Sequence, residues 1–451
     1  MCVLNLRAIS TLALLVSSLL NSCALASPPP FVSSVPTEIT SPASGDSFAP
    51  RIVADGDGLI LSWIEAIAPS SASDDPATQT PSSAPASNPS SAPAAVPAKT
   101  HRLCLARFSA GAWSAVSVIA SGNDLFANWA DTPTVVRSTD GSLLATWLRQ
   151  GAAGGYVYDA VVSRSDDDGA SWKLLGPLHD DAKAAEHGFV SADSANGATA
   201  FCWLDGRAMA TSDAHADDHD HGGGGDMTLR AARVAPNSAR VSPPSEILDE
   251  RTCECCPTDL AIGKNGPIIV YRDRREDGTR DISLVRWLGE GWSQPQSIGN
   301  DRWMLNGCPV NGPSISAAQN AVVVAWWTGE PDEGAVRAVR STDGGATFAP
   351  VIDIDTDGSI GRVETLLLPS GDAIILWYDL VGKDGIIAMK RLAPDGTLGA
   401  LHTLAKVSVE RSSGFPRAAL VGSDVWFTCT ARGNGSRRSV KVFCVSVESV
   451  R

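Results

Sequence analysis

The residues best suited to chemistry lie in one short stretch, residues 251–275. It reads RTCECCPTDLAIGKNGPIIVYRDRR and contains Cys253, Cys255 and Cys256, with Cys308 further along the chain. Thiolates so closely spaced can bind a soft metal such as Cu(I) or Zn(II). The spacing differs from that of a standard zinc site, because there is no repeated Cys-x-x-Cys pair.

A second group of metal-binding side chains lies in the segment 213–226, DAHADDHDHGGGGD. His215, His219 and His221 stand there among acids and glycines and add imidazoles to the cysteine group. Glycine-rich tracts hold ligands without preorganising them. The segment therefore favours adventitious or regulatory metal binding over a structured site, and copper or zinc is the expected ion.

The N-terminus bears on the state of the cysteines. Residues 1–26 have the features of an export signal: Arg7 is their only charge, residues 8–20 are a short apolar run, and Ala-Leu-Ala at 24–26 is a small-x-small cleavage site. A lipoprotein signal is the alternative, with Cys23 as the lipidated first residue. Either signal predicts a periplasmic or extracellular protein, in a compartment where disulfides persist.

Eight cysteines follow residue 26, and an even number fits disulfide bonds. One of the clustered cysteines could bridge Cys308, and Cys429 could pair with Cys444 on an adjacent strand. An exported protein favours these bridges over a metal site. The eight cysteines are Cys104, Cys202, Cys253, Cys255, Cys256, Cys308, Cys429 and Cys444.

The elements that position these residues recur along the chain. Each copy is a short strand, a polar or glycine-containing turn, and a more apolar strand that usually ends in an aromatic residue, which is typical of a β-hairpin. A third strand follows every copy and a fourth follows most, which predicts an all-β propeller of four-stranded antiparallel blades. The copies are residues 48–63, 131–147, 188–203, 256–271, 312–327, 362–378 and 415–429.

Seven blades are predicted, with six as the alternative. The seventh copy has three strands, and residues 35–40 resemble the fourth-strand run at 294–298, so we expect an N-terminal strand to close the ring. Residues 27–451 then form one propeller with two insertions, the Ser/Ala/Pro-rich residues 69–99 and the His/Gly-rich residues 213–226. Both insertions fall on the same rim as the cysteine-bearing connections between blades.

Two turns between third and fourth strands contain a motif. Residues 163–172 and 341–348 resemble the Asp box, Ser-x-Asp-x-Gly-x-Thr-Trp, of the sialidase (BNR-repeat) superfamily of β-propellers. In such a turn the carboxylate accepts backbone N–H bonds, and glycine takes a positive φ. These boxes lie on the opposite rim and are expected to be structural. The box residues are Ser163, Asp166, Asp168, Gly169 and Trp172 in the first, and Ser341, Asp343, Gly345 and Phe348 in the second.

The resemblance also implies a chemistry. Sialidases of this superfamily hold the substrate carboxylate with three arginines, and they use a tyrosine nucleophile paired with a glutamate and an aspartate as general acid. Tyr271 and Tyr378 end strands at the cysteine-bearing rim, and Arg275 and Arg362 could join an arginine clamp with Arg272 and Arg274. The family's Phe/Tyr-Arg-Ile-Pro element is rearranged here to Phe-Ala-Pro-Arg-Ile-Val at 48–53, so no motif fixes these roles.

The acidic composition, with a formal charge of -14 and a pI near 4.9, argues against nucleic acid or an anionic membrane as partner. The predicted function is a ligand-binding or scaffold module that acts through the Cys/His rim and is linked to a metal. The alternatives are a sialidase-type glycoside hydrolase and a structural partner-binding propeller. A small molecule, glycan or protein is the expected partner, and Trp303, Asn306 and Asn311 form either a sugar-binding surface or ordinary turns.

Overall fold

The computed structural model describes residues 36–67, 100–195, 197–210, 225–238, 245–330, 334–432 and 437–449. The predicted export signal, the insertion 69–99 and His215, His219 and His221 lie outside these residues, so the expectations for them stay predictions. The described ranges contain no helix that is both long and apolar enough to cross a membrane.

Seven antiparallel sheets form the ring, which confirms the predicted all-β propeller. One strand precedes the first blade, β1 (Thr37–Ile39). Blade 1 contains β2 (Asp46–Asp55), β3 (Gly58–Ile67), β4 (Thr100–Ser109), β5 (Ala112–Trp113) and β6 (Ser117–Gly122). Blade 2 contains β7 (Thr134–Arg137), β8 (Leu143–Gln150), β9 (Tyr158–Ser165) and β10 (Lys173–Pro177). Blade 3 contains β11 (His187–Ala195), β12 (Ala198–Asp205), β13 (Thr228–Val234) and β14 (Glu246–Asp249).

The other four blades follow the same order. Blade 4 contains β15 (Asp259–Gly263), β16 (Gly266–Arg272), β17 (Ile282–Arg286) and β18 (Gln296–Ser297). Blade 5 contains β19 (Ser314–Ala318), β20 (Ala321–Thr328), β21 (Ala335–Ser341) and β22 (Ile352–Asp355). Blade 6 contains β23 (Gly361–Leu367), β24 (Ala373–Val381), β25 (Asp384–Leu392) and β26 (His402–Val407). Blade 7 contains β27 (Arg417–Val421), β28 (Asp424–Arg432) and β29 (Arg438–Ser446).

The ring closes through the N-terminal strand, as predicted. Strand β1 pairs antiparallel with β29, with Thr37 opposite Cys444, and so supplies the fourth strand of blade 7. Arg438 reinforces the junction with blade 1, because its guanidinium binds Asp46 at 2.8 Å and lies 3.4 Å from the centre of the Phe48 ring.

The core lies between the blades, and the second strands show why. Every residue of β16 is buried, because its two faces pack against neighbouring blades and both must be apolar. Carboxylates anchor two of the aromatic residues near the ends of these strands. The indole N–H of Trp63 donates to Glu65 at 2.8 Å and that of Trp203 donates to Asp205 at 2.9 Å.

The connections divide the ring into two rims. We call the rim where each blade's fourth strand passes to the next blade the linker rim. Three of the linkers on this rim are residues 178–186, 250–258 and 298–313. We call the opposite rim, where the turns at residues 166–172 and 342–351 lie, the Asp-box rim.

The second Asp box has the geometry expected of the motif. Ser341 Oγ donates to Asp343 Oδ1 at 2.7 Å, and the Asp343 carboxylate accepts the N–H of Thr347 at 2.9 Å. Gly345 has a φ of +80° and donates its N–H to Ser341 Oγ at 2.9 Å. Residues at positions one, three, five and seven of the motif thus close the turn on itself.

The first box has the same bonds in a different register from the one predicted. Ser165 and Asp167 take the serine and aspartate places: Ser165 Oγ donates to Asp167 Oδ1 at 2.8 Å and accepts the N–H of Gly169 at 2.8 Å. The assignment to Ser163, Asp166 and Asp168 was wrong, since the turn requires serine and aspartate four and two residues before the glycine. Ser163 instead lies within β9 and accepts the indole N–H of Trp147, Asp166 pairs with Arg164, and Asp168 pairs with Arg137.

Candidate functional site

The four candidate cysteine ligands come together on the linker rim. Cys253, Cys255 and Cys256 lie in linker 250–258, and Cys308 lies in linker 298–313. Cys253 Sγ is 3.5 Å from Cys256 Sγ and 4.0 Å from Cys255 Sγ. The thiol of Cys255 also lies within hydrogen-bonding reach of Cys308. We call these four residues the cysteine cluster.

Backbone contacts fix the two linkers that carry the cluster. The N–H of Cys253 donates to the carbonyl of Arg272 at 3.0 Å, and Thr258 Oγ1 donates to the carbonyl of Phe189 at 2.8 Å. A Cβ added at Gly312 would lie 1.9 Å from the carbonyl oxygen of Pro257. Only glycine lets the linker that follows Cys308 approach the linker that follows Cys256 so closely.

One positively charged side chain, that of Arg280, contacts the cluster. Arg280 Nη1 donates to Cys253 Sγ at 2.9 Å and lies 3.3 Å from Glu254 Oε2. Hydrogen bonds from the Cys255 and Cys256 thiols, together with this guanidinium, hold the pKa of Cys253 well below its ordinary value. The pKa of Cys255 is raised, chiefly by its hydrogen bonds to neighbouring sulfur atoms, and burial raises that of Cys256. The neighbouring thiols and Arg280 thus favour the thiolate form of Cys253.

The sulfur positions suit a metal ion better than a disulfide. Two sulfurs bound tetrahedrally at about 2.3 Å from one ion lie about 3.8 Å apart, whereas disulfide sulfurs lie about 2.05 Å apart. The observed separations of 3.5 and 4.0 Å bracket the first value. None of the eight described cysteines forms a disulfide in this structure, so the predicted bridge between the cluster and Cys308 is not formed.

The predicted pairing of Cys429 with Cys444 is wrong for a reason of register. Cys429 lies opposite Lys441, and Cys444 lies opposite Trp426. The two cysteines are therefore three positions out of register, and side chains an odd number of positions apart point to opposite faces of a sheet. Cys429 is buried in the core, where burial raises its thiol pKa to about 12.

Exposure determines how a ligand reaches the cluster. Cys253 and Cys256 are buried, Cys255 is partly buried and Cys308 is exposed. A cavity of 710 Å³ opens beside the Cys253 partner Arg280 and is also lined by Arg274, Arg275 and Asn306. The cluster thus has a solvent-facing side at Cys308 and lies next to an arginine-lined depression.

A buried acid pair lies near the cluster: Glu186 ends linker 178–186, and Asp131 lies in the connection between β6 and β7. The hydroxyl of Tyr158 donates to Glu186 Oε1 at 2.7 Å and lies 3.4 Å from Asp131 Oδ2. Burial raises the pKa of Asp131 to about 7 and that of Glu186 to about 8, and the negative charges of Asp131 and Cys308 raise the latter further. The sequence contained a signal for this group, because Tyr158 begins a third strand and all third strands begin at the linker rim.

The two predicted tyrosines are committed to other partners. The hydroxyl of Tyr271 donates to Asp249 Oδ2 at 2.5 Å, and that of Tyr378 donates to the carbonyl of Ser413 at 3.3 Å. Both side chains are fully buried, and burial raises both pKa values well above the ordinary range. Neither hydroxyl faces solvent.

The four predicted arginines do not form a clamp. Arg362 lies over the rings of Trp129 and Tyr378 and donates to the carbonyl of Gly414 at 2.8 Å, so the structure brings this arginine and Tyr378 together. Arg275 is exposed on the loop between β16 and β17. The other two arginines hold the linkers. Arg272 donates to the carbonyls of Asn311, Arg280 and Trp327, and Arg274 pairs with Asp226 and Glu254.

Three residues near Cys308 could have formed a sugar-binding surface. Two of them are buried, and one lines the cavity. Trp303 is 7% exposed and packs edge-on against Trp327. Asn311 is 6% exposed, and its side chain bonds the backbone of Arg362 and Ile360. Only Asn306 lines the cavity described above. Trp303 and Asn311 are therefore structural residues of the turn.

Comparison with known proteins finds matches of low sequence identity among solved structures. No protein-family model matches the sequence, and no curated protein matches it. Among solved structures, a Trypanosoma rangeli sialidase in complex with the inhibitor DANA is 12% identical, with a TM-score of 0.40, over 69% of this chain and 54% of the sialidase. The chain thus spans about half the length of that sialidase.

Two further structures cover more of the chain. An alpha-L-arabinanase of Penicillium chrysogenum complexed with arabinobiose is 12% identical, with a TM-score of 0.44, over 93% of this chain and 99% of its own. A puromycin-hydrolyzing peptidase of Mycobacterium tuberculosis is 10% identical, with a TM-score of 0.47, over 93% of this chain and 55% of its own. The seven blades and two Asp-box turns agree with the sialidase-like resemblance predicted from the sequence.

Proposed function

We propose that the protein is an exported metal-binding propeller whose cysteine cluster holds one thiophilic ion, Cu(I) or Zn(II). The observation that supports this most directly is the sulfur spacing, with three Sγ atoms mutually within 4.8 Å and two separations near the value for thiolates that share an ion. Soft thiolate ligands select Cu(I) and Zn(II) over hard ions. Cys308, from the other linker, completes a four-sulfur set.

The surroundings of the cluster suit an anionic metal–thiolate centre. Three or four thiolates leave net negative charge around either ion, and Arg280 compensates part of it through its bond to Cys253. Cys253 and Cys256 are buried, which shields the centre, while exposed Cys308 offers a route for the ion to enter and leave. A centre that opens to solvent suits a protein that acquires, carries or senses its ion.

The test is an anaerobic titration of the reduced full-length chain with Zn²⁺ and with Cu(I), each in competition with a chromophoric chelator. Substitution of serine for His215, His219 and His221 in every sample removes the histidine segment as a second binder. We expect one ion per chain, and Cys253→Ser and Cys256→Ser should each weaken binding at least about 100-fold. The preferred ion distinguishes a copper site from a zinc site.

Cys444→Ser provides the matched control, because it removes a partly buried thiol far from the cluster. It should leave the affinity unchanged. Equal affinity in the wild type and in Cys253→Ser would contradict the proposal, as would a native protein whose cluster cysteines can be alkylated only after reduction.

No comparable structural observation supports sialidase-type hydrolysis. Three of the four tyrosines, Tyr158, Tyr271 and Tyr378, are fully buried, and the fourth, Tyr156, is exposed on the loop between β8 and β9. A nucleophile must reach substrate, and the linker-rim arginines Arg272 and Arg362 already donate to backbone carbonyls. The geometry therefore supports ion binding over glycoside hydrolysis.

A further inference from the structure

The first strands of the seven blades surround the axis of the ring, and each carries a polar residue at the same position. That residue lies opposite the second-strand residue that comes just before an aromatic residue or, in blade 7, before Cys429. The shared register places these seven residues in one polar layer around the axis, which we call the belt. The belt residues are Arg51, Thr134, Ser191, Asp259, Ser314, Glu364 and Arg417.

The carboxylates of the belt join neighbouring blades. Asp259 Oδ2 accepts the hydroxyl of Ser314 at 3.0 Å and the N–H of Ile315 at 2.9 Å, both from blade 5. Glu364 pairs with Arg417 of blade 7 at 3.0 Å. These acids therefore have structural partners, as buried carboxylates require.

Arg51 is the charged member of the belt without such a partner. Among the described residues its guanidinium makes no hydrogen bond or ion pair, although Arg417, Asp259, Glu364 and Asp193 are close enough to shift its pKa. Burial and the like charge of Arg417 lower that pKa, and the three acids act in the opposite direction. The Nε of Arg417 is also buried without a partner. Unpaired donors at a partly buried position favour a ligand that supplies acceptors.

A cavity of 450 Å³ lies on the Asp-box side of the belt. Every residue that lines it belongs to a first strand, and all seven blades contribute. The lining begins at or just after the belt and continues along the strands toward the Asp-box rim, for example from Arg51 to Ala54. Small-molecule sites have volumes of about 300–1,000 Å³. The cavity therefore has room for a small molecule, and it shares no residue with the cysteine cluster.

The charges that line the cavity lie on opposite sides of it. Arg51 and Arg417 belong to blades 1 and 7, whereas Asp193 and Asp259 belong to blades 3 and 4, across the ring. Because Glu364 pairs with Arg417, Arg51 is left facing the two aspartates. The cavity thus has a positive and a negative side.

The aspartates can accept further hydrogen bonds. The carboxylate of Asp193 accepts the N–H of Ser194 at 2.7 Å and that of Ile262 at 3.2 Å. An ionised carboxylate has about four lone-pair sites, so it retains capacity for an ammonium group. A simple anion would satisfy Arg51 but lie near two like charges, and a simple cation would leave Arg51 unpaired.

We infer that this cavity binds a small zwitterion such as a free α-amino acid. The carboxylate of the ligand pairs with Arg51, since guanidinium binds carboxylate through two parallel hydrogen bonds. Its ammonium group donates to Asp193 and Asp259 on the other side. Complementary charges at both ends select a zwitterion over an ion of either sign. The site is separate from the cysteine cluster and does not depend on metal binding there.

Isothermal titration calorimetry of the full-length chain tests this site. Each standard amino acid is titrated singly, alongside acetate and methylammonium, in a buffer with EDTA that removes metal ions able to bind amino acids. We expect one amino acid molecule per chain, and weaker binding of acetate and methylammonium. Arg51→Gln and Asp193→Asn should each weaken binding at least about 30-fold, because each leaves one charge of the ligand unpaired.

Arg233→Gln is the control, since it changes an exposed arginine of β13 outside the cavity and should leave the affinity unchanged. Without ligand, Arg51→Gln should melt no lower than the wild type, because Arg51 pairs with none of the described residues. Cys253→Ser should bind the amino acid normally, which separates this site from the metal proposal. The inference would be overturned if no amino acid bound, if Arg51→Gln kept wild-type affinity, or if acetate bound as tightly as the best amino acid.

Discussion

The two rims of the propeller carry similar polar residues but use them in opposite ways. On the Asp-box rim, Asp167 and Asp343 accept hydrogen bonds from their own turns, and these bonds hold both carboxyl pKa values below the ordinary range. On the linker rim, burial raises the pKa of Asp131 to about 7 and that of Glu186 to about 8. One rim's acids stabilise their charge locally, whereas the other's are buried beside like charges, which is typical of binding sites.

The largest expected difference between the rims is in the loss of stability when one glycine is replaced by alanine. Gly312→Ala would drive a Cβ into the carbonyl of Pro257, at 1.9 Å, and so push apart the two linkers that carry the cysteines. We expect it to lower the free energy of unfolding by about 3 kcal/mol and to weaken ion binding. Gly291→Ala on the Asp-box rim is the matched control, because nothing lies within 4 Å of its added Cβ. Urea unfolding of both variants measures the difference, and equal losses would contradict the account of the linker contact.

An intermediate effect is expected from the charge of Glu186. Its pKa in the folded protein is about 8, against an ordinary value of 4.5, so the folded state keeps a proton that the unfolded state loses. The contribution of Glu186 to stability is therefore fully present below about pH 4.5 and is lost as pH rises toward 8. Glu186→Gln should raise the free energy of unfolding by about 2 kcal/mol at pH 8.5 and have little effect at pH 4.5.

The control for this prediction is Glu246→Gln, which changes an exposed glutamate of β14. Denaturant unfolding of both variants at the two pH values gives the comparison. A Glu186→Gln effect that is the same at both pH values would show that the carboxyl is not held protonated in the folded protein.

The smallest effect is expected on the Asp-box rim and tests the corrected register. Asp167→Asn replaces the carboxylate that accepts the N–H and hydroxyl of Ser171, and should lower the melting temperature by a few degrees. Asp166→Asn should leave it unchanged, since that carboxylate is mostly exposed and pairs only with Arg164 among the described residues. A larger loss from Asp166→Asn than from Asp167→Asn would restore the first assignment.

The fold could be predicted from the sequence because each blade repeats a local signal. Apolar strands, polar or glycine-containing turns and, in most copies, a terminal aromatic residue recur along the chain, and none of them depends on distant residues. The closing strand was also predictable, because residues 35–40 resemble a fourth strand. The prediction for the first Asp box was wrong only in register. Three consecutive aspartates allow several assignments until the number of residues between the aspartate and Gly169 is counted.

The candidate site could be predicted only in part. The sequence indicated thiol chemistry at Cys253, Cys255 and Cys256, but the choice between disulfide and metal depends on the distances between their sulfur atoms, which only the folded linker sets. The burial of Tyr271 and Asn311 depends on neighbouring blades, which a strand pattern does not describe. Arg51 and Asp259 stand in the first strands of different blades, so only the closed ring places them at one cavity.

The most direct test of the cysteine cluster is X-ray absorption at the metal edge of the full-length chain, loaded anaerobically with one equivalent of Cu(I) or Zn²⁺. The proposal predicts a first shell of three or four sulfur atoms at about 2.3 Å, which Cys253→Ser and Cys308→Ser reduce. A first shell of only nitrogen and oxygen at about 2.0–2.1 Å would contradict it and assign the ion to histidines and carboxylates.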